Sequence, residues 1–455
     1  MFTGIHLKNF KLYRDVKIDL TSRRFPYKPV VVFYGESGSG KTTIAQAFYI
    51  LDRTLRTMQL KDMLRDLLDK KLVPPDDTVL NSDALLSILK NSLENNALDS
   101  IIQEYRTIGC DQRMSLEYNF VISGKTGNYL IEMDGTGIVK ERLEYCISKN
   151  RGCFIDIDPE KIYLNEKLFE TTEFYDSLKS QVEMYWGKHS FLSILLYQVE
   201  EKAESYIRSN ISDNLMRLLH AFQNIAYDIE GVAFKPGFSS LGRKPLFNLE
   251  RGEVTEAEEP QLNVLEKLLG DFFADVFQDI KNVYYKKIEG KEGRQKYKLY
   301  FTKKIEDYTY DIPLVKESTG TREILNLLPF LMEAVAGKTV IIDEYGIGMH
   351  DLQAAQLLEM VAKQIKGQLI IMTHNMMIMD SANTKEPKIN PEALYFIERD
   401  TQNKKVVKCV TEIEERLHPN YNYRNRYLTN TLYKGMRPDF EKEIDVTKLA
   451  ALYEE

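Results

Sequence analysis

The residues Gly35-Glu36-Ser37-Gly38-Ser39-Gly40-Lys41-Thr42 match the pattern G-x-x-x-x-G-K-[ST], and this short stretch decides the fold. An apolar, β-branched segment, Pro29 to Tyr34, precedes it, and apolar residues at helical spacing follow from Lys41. A strand, a glycine-rich loop and a helix in this order predict a phosphate-binding loop, or P-loop. The alternative is a glycine-rich turn that only connects a strand to a helix.

Each residue type in this loop has a chemical reason. Glycines let backbone N–H groups turn inward around phosphate oxygens, and the following helix adds the partial positive charge of its N-terminus. We expect Lys41 to bridge the β- and γ-phosphates of ATP, and the Thr42 hydroxyl to ligate Mg²⁺. The expected nucleotide-binding residues of the loop are Gly35, Glu36, Ser37, Gly38, Ser39, Gly40, Lys41, Thr42 and Thr43.

Strand and helix patterns extend from the loop in both directions. Late in the chain they alternate, which predicts a mostly parallel sheet flanked by helices: helix 321–336, strand 339–342, helix 352–365 and strand 368–372. The other segments predict strands over 5–10 and 15–20, helices over 51–72 and from residue 83, a hairpin over 114–138, a strand over 163–168, helices over 170–231 and 262–284, a loop over 234–260, and strands over 296–302 and 308–314.

A P-loop requires a carboxylate for magnesium at the end of a neighbouring buried strand. The run Thr339-Val340-Ile341-Ile342-Asp343-Glu344 supplies one. We expect Asp343 to hold the magnesium shell and Glu344, one residue further, to polarise an attacking water. Acidic strand ends are common, so the value of this pair comes from its combination with the P-loop.

Two further motifs complete the set. A strand ends in Met372-Thr373-His374-Asn375, which predicts an imidazole at the rim of the same sheet, within reach of a γ-phosphate. Glu317-Ser318-Thr319-Gly320-Thr321 stands just before a helix, where a serine and free N–H groups form an anion site. The alternatives are a structural histidine and a plain helix cap.

In this order, the four motifs resemble the ABC-type ATPase family that includes the SMC, RecF and OLD proteins. The resemblance implies a P-loop NTPase fold of ABC type with an antiparallel β subdomain and helical insertions, which could be short coiled coils. It assigns Gly35 to Thr43 as Walker A, Ser318 to Thr321 as the signature (nucleotide contacts Ser318 and Gly320), Asp343 and Glu344 as Walker B, Gly346 to His350 as the D-loop, and His374 as the switch histidine. Lys41, Glu344 and His374 would be the catalytic residues, with Thr42 and Asp343 on the metal. Gln198 is a candidate for the Q-loop.

In that family the signature serves the nucleotide of the facing subunit, so the resemblance implies a head-to-tail dimer as the smallest catalytic unit. Within the family, the chain is most similar to a bacterial AAA-labelled subgroup found in phage defence, such as AriA of PARIS and PtuA of Septu. This likeness is carried by the hairpin of Tyr129 to Glu132 followed by Val139 to Leu143, by the Glu-Ser-x-Gly-Thr signature and by the late Arg424 to Tyr427 segment. The transporter signature LSGGQ is absent.

The motifs divide the chain into a head with two insertions. The expected units are a first head part with Walker A (1–54), a helical insertion (55–111), a β subdomain (112–168), a second helical insertion (169–290), a second head part with the signature, Walker B and His374 (291–420), and a C-terminal tail (421–455). The acidic end of the tail, Asp439 to Glu455, could form a docking helix or a simple packing helix.

Composition limits the partners. The four cysteines form no C-x-x-C pair, and no apolar run reaches the length of a membrane span, so we expect a cytoplasmic protein without a membrane partner. The net charge of -7 confines any nucleic-acid contact to a local surface. Lys281 to Lys304, which mixes nine Lys or Arg with tyrosines, is the candidate, and a solvated strand face is the alternative.

Together these observations predict an ATPase that assembles into homo-oligomers and gates a separate effector protein of a bacterial anti-phage defence complex. The alternative is a DNA-binding ATPase of DNA repair or maintenance that resembles RecF or SMC. A nucleotide-dependent scaffold with negligible turnover is a third hypothesis.

Overall fold

The computed structural model describes residues 1–58, 98–200, 202–229, 248–290, 294–382, 387–400, 404–413 and 421–429. Most of the predicted first helical insertion, including its second helix from residue 83, lies outside these ranges, and so does the acidic segment 439–455. Within the described residues, the strands form three sheets.

The strands are β1 Phe2–Phe10, β2 Tyr13–Asp19, β3 Val30–Tyr34, β4 Met114–Ile122, β5 Lys125–Asp134, β6 Gly137–Cys146, β7 Arg151–Asp158, β8 Lys161–Leu164, β9 Ile225–Asp228, β10 Arg251–Thr255, β11 Ile280–Glu289, β12 Arg294–Ile305, β13 Tyr308–Pro313, β14 Thr339–Ile342, β15 Gln368–Met372, β16 Leu394–Arg399 and β17 Lys405–Cys409.

The described helices are α1 Lys41–Arg56, α2 Leu98–Tyr105, α3 Thr172–Tyr185, α4 Phe191–Glu200, α5 Glu204–Asn210, α6 Asp213–Gln223, α7 Glu259–Val276, α8 Thr319–Val335, α9 Asp351–Ala362, α10 Met377–Ser381, α11 Val410–Ile413 and α12 Tyr423–Leu428. Short 3-10 helices cover Glu166–Leu168, Leu314–Lys316 and Pro391–Ala393.

The sheet that carries the motifs has six strands in the order β17-β16-β3-β15-β14-β9. Five of them run parallel, and β17 is antiparallel to β16 at one edge. Strands β3, β14 and β15 are buried at every position, as expected for a parallel sheet covered on both faces. Only this sheet fits the prediction of a mostly parallel sheet, because the other two are antiparallel.

The second sheet has seven strands in the order β2-β1-β4-β5-β6-β7-β8, and the third contains β10 to β13. Residues 114–146 alternate between buried and less buried positions, which is the pattern of antiparallel strands with one covered face. The predicted hairpin over 114–138 is therefore part of a larger meander, with β4 and β5 joined at Ser123 and Gly124.

Helix α1 lies between the first two sheets. It contacts β9, β14 and β15 on one side. On the other side the Phe48 ring lies 5.0 Å from that of Phe2, and the Tyr118 hydroxyl donates to the carbonyl of Ala47 at 2.6 Å. Because both faces of α1 are covered, the loop that starts this helix is held by the two sheets together.

Gln368 joins the two sheets by hydrogen bonds. Its side chain, which is fully buried, accepts from the N–H of Phe2 at 2.7 Å and donates to the carbonyls of Phe2 at 2.8 Å and Lys28 at 3.2 Å. Each of these backbone groups would otherwise lie unpaired inside the protein, where an unsatisfied polar group is costly. The amide of Gln368 therefore fixes β1 against the start of β15.

Several predicted elements differ from the structure: the helix predicted to continue over 51–72 ends at Arg56, and the strand predicted over 163–168 ends at Leu164. Residues 225–228 lie in a predicted helical stretch but form β9, an edge strand of the parallel sheet, because pairing with β14 outweighs local preference. The helix predicted to reach residue 284 ends at Val276, and residues 280–289 form β11. Strand β10 occupies part of the predicted 234–260 loop, whose residues up to 247 lie outside the described ranges.

In the described part of the chain, no helix is long and apolar enough to span a membrane.

The role of Gln368 gives a prediction about stability. Gln368→Met keeps the length of the side chain but removes three hydrogen bonds, and we expect it to lower the free energy of unfolding by about 2–4 kcal/mol. Denaturant unfolding followed by circular dichroism measures the change. Gln364→Met is the matched control, because Gln364 is exposed and lies between α9 and β15. This variant should change the free energy of unfolding by less than about 0.5 kcal/mol. Equal free energies of unfolding for the two variants would show that the hydrogen bonds of Gln368 do not stabilise the fold.

Candidate functional site

The loop of residues 35–40 connects β3 to α1 and takes a conformation that needs glycine. Gly38 and Gly40 have φ values of 72° and 115°. A Cβ atom at Gly40 would lie 2.8 Å from the hydroxyl oxygen of Tyr13, which itself donates to the Gly40 carbonyl at 3.2 Å. The glycine pattern of the sequence is thus explained by left-handed backbone and by the close approach of Tyr13.

The side chain of Lys41 turns back over the loop. Its Nζ atom donates to the carbonyls of Gly35 at 2.8 Å and Glu36 at 3.2 Å, and it lies 2.9 Å from Nε2 of His374. Burial lowers the pKa of Lys41, and the carboxylates of Glu344 and Asp343 counteract this shift. Two sequence motifs 333 residues apart therefore meet at one ammonium group.

His374 is a neutral acceptor in this contact. A lysine ammonium group carries only donors, so Nε2 of His374 accepts the hydrogen bond. Burial lowers the pKa of His374, and the positive charge of Lys41 lowers it further. An imidazole held in this way lies where it can contact any anion that Lys41 binds.

Asp343 follows the last residue of β14 and is 6% exposed. Both of its carboxylate oxygens are buried, and neither has a partner at hydrogen-bond geometry among the described residues, although the Thr42 hydroxyl is near enough to stabilise the carboxylate. Burial raises the pKa of Asp343, while the side chain of Thr42 and the charge of Lys41 lower it in part. Buried carboxylate oxygens without partners are unusual, and a hard cation such as Mg²⁺ would satisfy them. Thr42 and Asp343 therefore fit the pair of magnesium ligands expected from the sequence.

Glu344 occupies a strained position. Its φ is 53°, a left-handed value that costs a non-glycine residue about 1–2 kcal/mol. The next residues hold the turn in place, because Tyr345 donates from its N–H to the carbonyl of Met372 at 2.8 Å and accepts from the Thr373 hydroxyl at 2.9 Å. These bonds tie the end of β14 to the end of β15, so that Glu344 and His374 share one edge of the sheet.

The signature segment begins α8. The Ser318 hydroxyl accepts from the N–H of Thr321 at 3.1 Å and lies 2.8 Å from the Thr321 hydroxyl, so it caps the helix. Gly320 lies beside residues 346–350, since a Cβ atom at Gly320 would be 3.6 Å from the carbonyl oxygen of Gly348. The helix cap, which the sequence left open as an alternative, is thus present, and the segment packs on residues 346–350 of its own chain.

Gln198, the candidate for the Q-loop, lies within α4 and is partly buried. It belongs to a regular helix, whereas the role would require a loop. Its position gives no support for a nucleotide contact.

Two residues at the loop have no sequence motif. Tyr13, on β2, packs on Gly40, and Lys405, on β17, donates to the carbonyls of Gly38 at 2.5 Å and Ser39 at 2.6 Å. The two residues lie on opposite ends of the chain and reach the loop only through the pairing of strands. A single tyrosine or lysine in a strand pattern carries no signal that could have indicated this.

The site as a whole offers the groups that a nucleoside triphosphate and magnesium need. Backbone N–H groups of a glycine-rich loop at a helix N-terminus and a lysine ammonium suit phosphate oxygens. An unpartnered carboxylate suits the cation, and a second carboxylate and an imidazole stand at the same sheet edge.

A search of curated proteins found no match. Solved structures similar to the chain include the SMC head domain from Thermotoga maritima, with 14% identity, a TM-score of 0.38 and coverage of 90% of this chain and 98% of that one. Another is the SmcHead bound to the C-winged helix domain of ScpA, with 13% identity, a TM-score of 0.41 and coverage of 90% and 96%. A third is the Smc head domain with an extended coiled coil bound to the C-terminal domain of ScpA derived from Pyrococcus furiosus, with 12% identity, a TM-score of 0.34 and coverage of 90% and 97%.

A family model gives the assignment. The model named AAA_15 and described as an AAA ATPase domain matches residues 1–379, which is most of the 455-residue chain. The matched range contains the glycine-rich loop, the strand that ends just before Asp343 and the turn with His374. The chain belongs to this family of AAA ATPase domains.

Proposed function

We propose that the chain binds ATP with Mg²⁺ and hydrolyses it to ADP and phosphate at sites shared between two protomers. The observation that carries this proposal is the meeting of Lys41, Asp343 and His374 at one sheet edge, with two buried carboxylate oxygens of Asp343 unpartnered. A polar site of this kind costs stability unless a ligand uses it.

Each group of residues in the site has a role that follows from its chemistry. The N–H groups of the loop and Lys41 bind the β- and γ-phosphates, and Thr42 and Asp343 would hold a magnesium ion, which would neutralise phosphate charge when bound. Glu344 orients and polarises the attacking water. His374, neutral and next to Lys41, contacts the γ-phosphate.

The signature completes the site of a second protomer. Ser318 and Gly320 lie at the start of α8 and pack on the D-loop of their own chain. Large apolar side chains are exposed around this segment, with Val315 at 62%, Ile347 at 63% and Leu352 at 45%. Exposed apolar residues beside an anion-binding helix N-terminus suit a surface that a second head covers. ATP between two heads would then hold a head-to-tail dimer together.

Within the cell, we assign the chain a gating role in an anti-phage defence complex. The resemblance of the motif set, above all Glu317-Ser318-Thr319-Gly320-Thr321, to the ATPase subunits of such systems supports this role. The dimer that ATP forms would hold a separate effector protein, a nuclease, inactive until a trigger changes the nucleotide state.

Substitution of Glu344 tests the catalytic assignment. Glu344→Gln keeps the shape of the side chain but removes the general base, so we expect ATP binding to persist and phosphate release to fall by roughly 100- to 10,000-fold. Lys41→Ala is the contrasting variant, because it should lose ATP binding in calorimetry. Wild-type phosphate release by Glu344→Gln would remove Glu344 from the mechanism.

The same two variants test the gating role in cells. The gene is expressed together with its genomic neighbours, and phages are plated on these cells. Protection that Lys41→Ala or Glu344→Gln abolishes supports the role, whereas protection of equal strength with all three proteins contradicts it.

A second candidate function, an ATPase that binds DNA, is favoured by one surface of the third sheet. Arg251, Lys298 and Lys286 are direct cross-strand neighbours on β10, β12 and β11, and all three are exposed. We call these three residues the cation row. None of them forms an ion pair with another described residue, although like charges directly opposite each other repel. Beside the row, the stacked rings of Tyr284 and Tyr300 lie 5.9 Å apart.

The structure divides the basic stretch Lys281 to Lys304 between two faces. Lys287 points away from the cation row and bonds to Glu259 at 2.8 Å and Asn263 at 2.5 Å. Lys303 pairs with Asp279 and with the buried Glu317. Only part of the stretch is therefore available to phosphates, and Arg251 joins it from outside.

Charge reversal in the row tests this candidate. If ATP closes a dimer on DNA through this surface, Lys286→Glu with Lys298→Glu should weaken ATP-dependent duplex binding and reduce the slope of log affinity against log salt by about two. Fluorescence anisotropy at several salt concentrations measures both effects. Lys149→Glu with Lys167→Glu, two exposed lysines elsewhere, makes the same change of charge and should leave the slope unchanged. Equal slopes in the two double variants would exclude the row as a DNA contact.

A further inference from the structure

Lys405 lies beside the glycine-rich loop because of strand order. Strand β16 pairs in parallel with β3, the strand that leads into the loop, and β17 returns antiparallel along β16. Lys405 is the first residue of β17 and stands opposite Arg399. The hairpin between the two strands therefore ends next to residues 35–40, although Lys405 lies outside the residues that the family model matches.

Two lysine side chains hold the carbonyl groups of the loop. Lys405 donates to Gly38 at 2.5 Å and to Ser39 at 2.6 Å, while Lys41 donates to Gly35 and Glu36. Hydrogen bonds from an ammonium group are stronger than those between neutral groups. Four of the loop's carbonyl groups are thus held by two charges, one from the first residue of α1 and one from a distant strand.

The Ser39 contact has a consequence for phosphate binding. In a planar trans peptide, the C=O and N–H bonds point in opposite directions. When Lys405 holds the carbonyl of Ser39 on its own side, the N–H of Gly40 must point to the other side. Gly40 stands at the N-terminus of α1, where backbone N–H groups receive phosphate oxygens.

We propose that Lys405 is a positioning residue of the nucleotide site, which sets the Ser39–Gly40 peptide for phosphate binding and adds a positive charge beside the loop. This inference rests on the ATP site proposed above. It adds a residue outside the four sequence motifs described above, contributed by β17 at the edge of the sheet.

The charges around Lys405 point to an anionic ligand. Burial, together with the positive charges of Arg399 on β16 and Lys41 on α1, lowers the pKa of Lys405 to about 8. Both neighbours that act on this ammonium group are cations. A triphosphate would relieve the repulsion and raise the pKa again, because an anion favours the charged form.

This linkage has a definite sign. If bound ATP raises the pKa of Lys405, the complex holds the proton more tightly than the free protein. ATP affinity is then highest below about pH 8, where Lys405 is already charged, and falls as the pH rises above that value. A residue that only supports the fold would not make ATP affinity depend on pH in this way.

Calorimetry with Mg·ATP at pH 7.5 tests the proposal. We expect Lys405→Met to weaken ATP binding by about tenfold or more, because two charge-assisted hydrogen bonds and one charge are lost. Lys404→Met, the exposed neighbour in the same hairpin, is the matched control and should bind ATP like the wild type. Thermal unfolding without ATP should give the same midpoint for both variants. ATP affinity of Lys405→Met equal to that of the wild type overturns the proposal.

A pH series separates positioning from a purely structural role. Between pH 7.5 and 9.5, the ATP affinity of the wild type should fall more steeply than that of Lys405→Met or Lys405→Arg. Neither a methionine nor an arginine side chain at position 405 changes its protonation in this range. Lys405→Arg keeps the charge and should bind ATP more tightly than Lys405→Met at every pH. Identical pH profiles in all three proteins overturn the proposal. If the wild-type protein itself binds no ATP, so that Lys41→Ala causes no further loss of binding, the proposed ATPase function is contradicted rather than the role of Lys405.

Discussion

The buried ammonium group of Lys41 is the charge around which the site is arranged. Lys41 is 4% exposed, and a charge so far from water must have partners within the protein. Its partners come from the loop after β3 and from His374 after β15. Since β3 and β15 are neighbours in the sheet and β14 follows β15, the strand order brings the lysine, the imidazole and Asp343 to one edge. Parallel strands end at the same edge, so the motifs can be far apart in sequence and still meet.

The antiparallel sheet supports this arrangement from the other side of α1. Tyr13 packs on Gly40, Tyr118 binds the backbone of α1, and Gln368 fixes the first strand of the chain against β15. The loop is therefore held between two sheets before any ligand arrives. Such preorganisation reduces the ordering that ligand binding would otherwise require.

The sequence predicted the parts of the fold and site that follow from local pattern. The strand, loop and helix over residues 30–56 and the strands before Asp343 and Thr373 are confirmed, because an apolar run between turn residues is a strong local signal. Strand β9 was missed, since Ile225–Asp228 is short and follows a helix, and only its pairing with β14 makes it a strand. Lys405 and Gln368 act through contacts across hundreds of residues, which no pattern in one sequence can indicate. The division of the basic stretch between two sheet faces likewise depends on register, which the spacing of lysines alone did not give.

If ATP joins two heads into one catalytic unit, the mass of the Glu344→Gln protein in solution must depend on ATP. Sedimentation with and without Mg·ATP gives this mass, with Lys41→Ala added to Glu344→Gln as the control that cannot bind nucleotide. We expect the mass to double, and we expect this doubling to require both ATP and Lys41. A mass that stays the same when the protein is saturated with ATP would contradict a site shared between protomers.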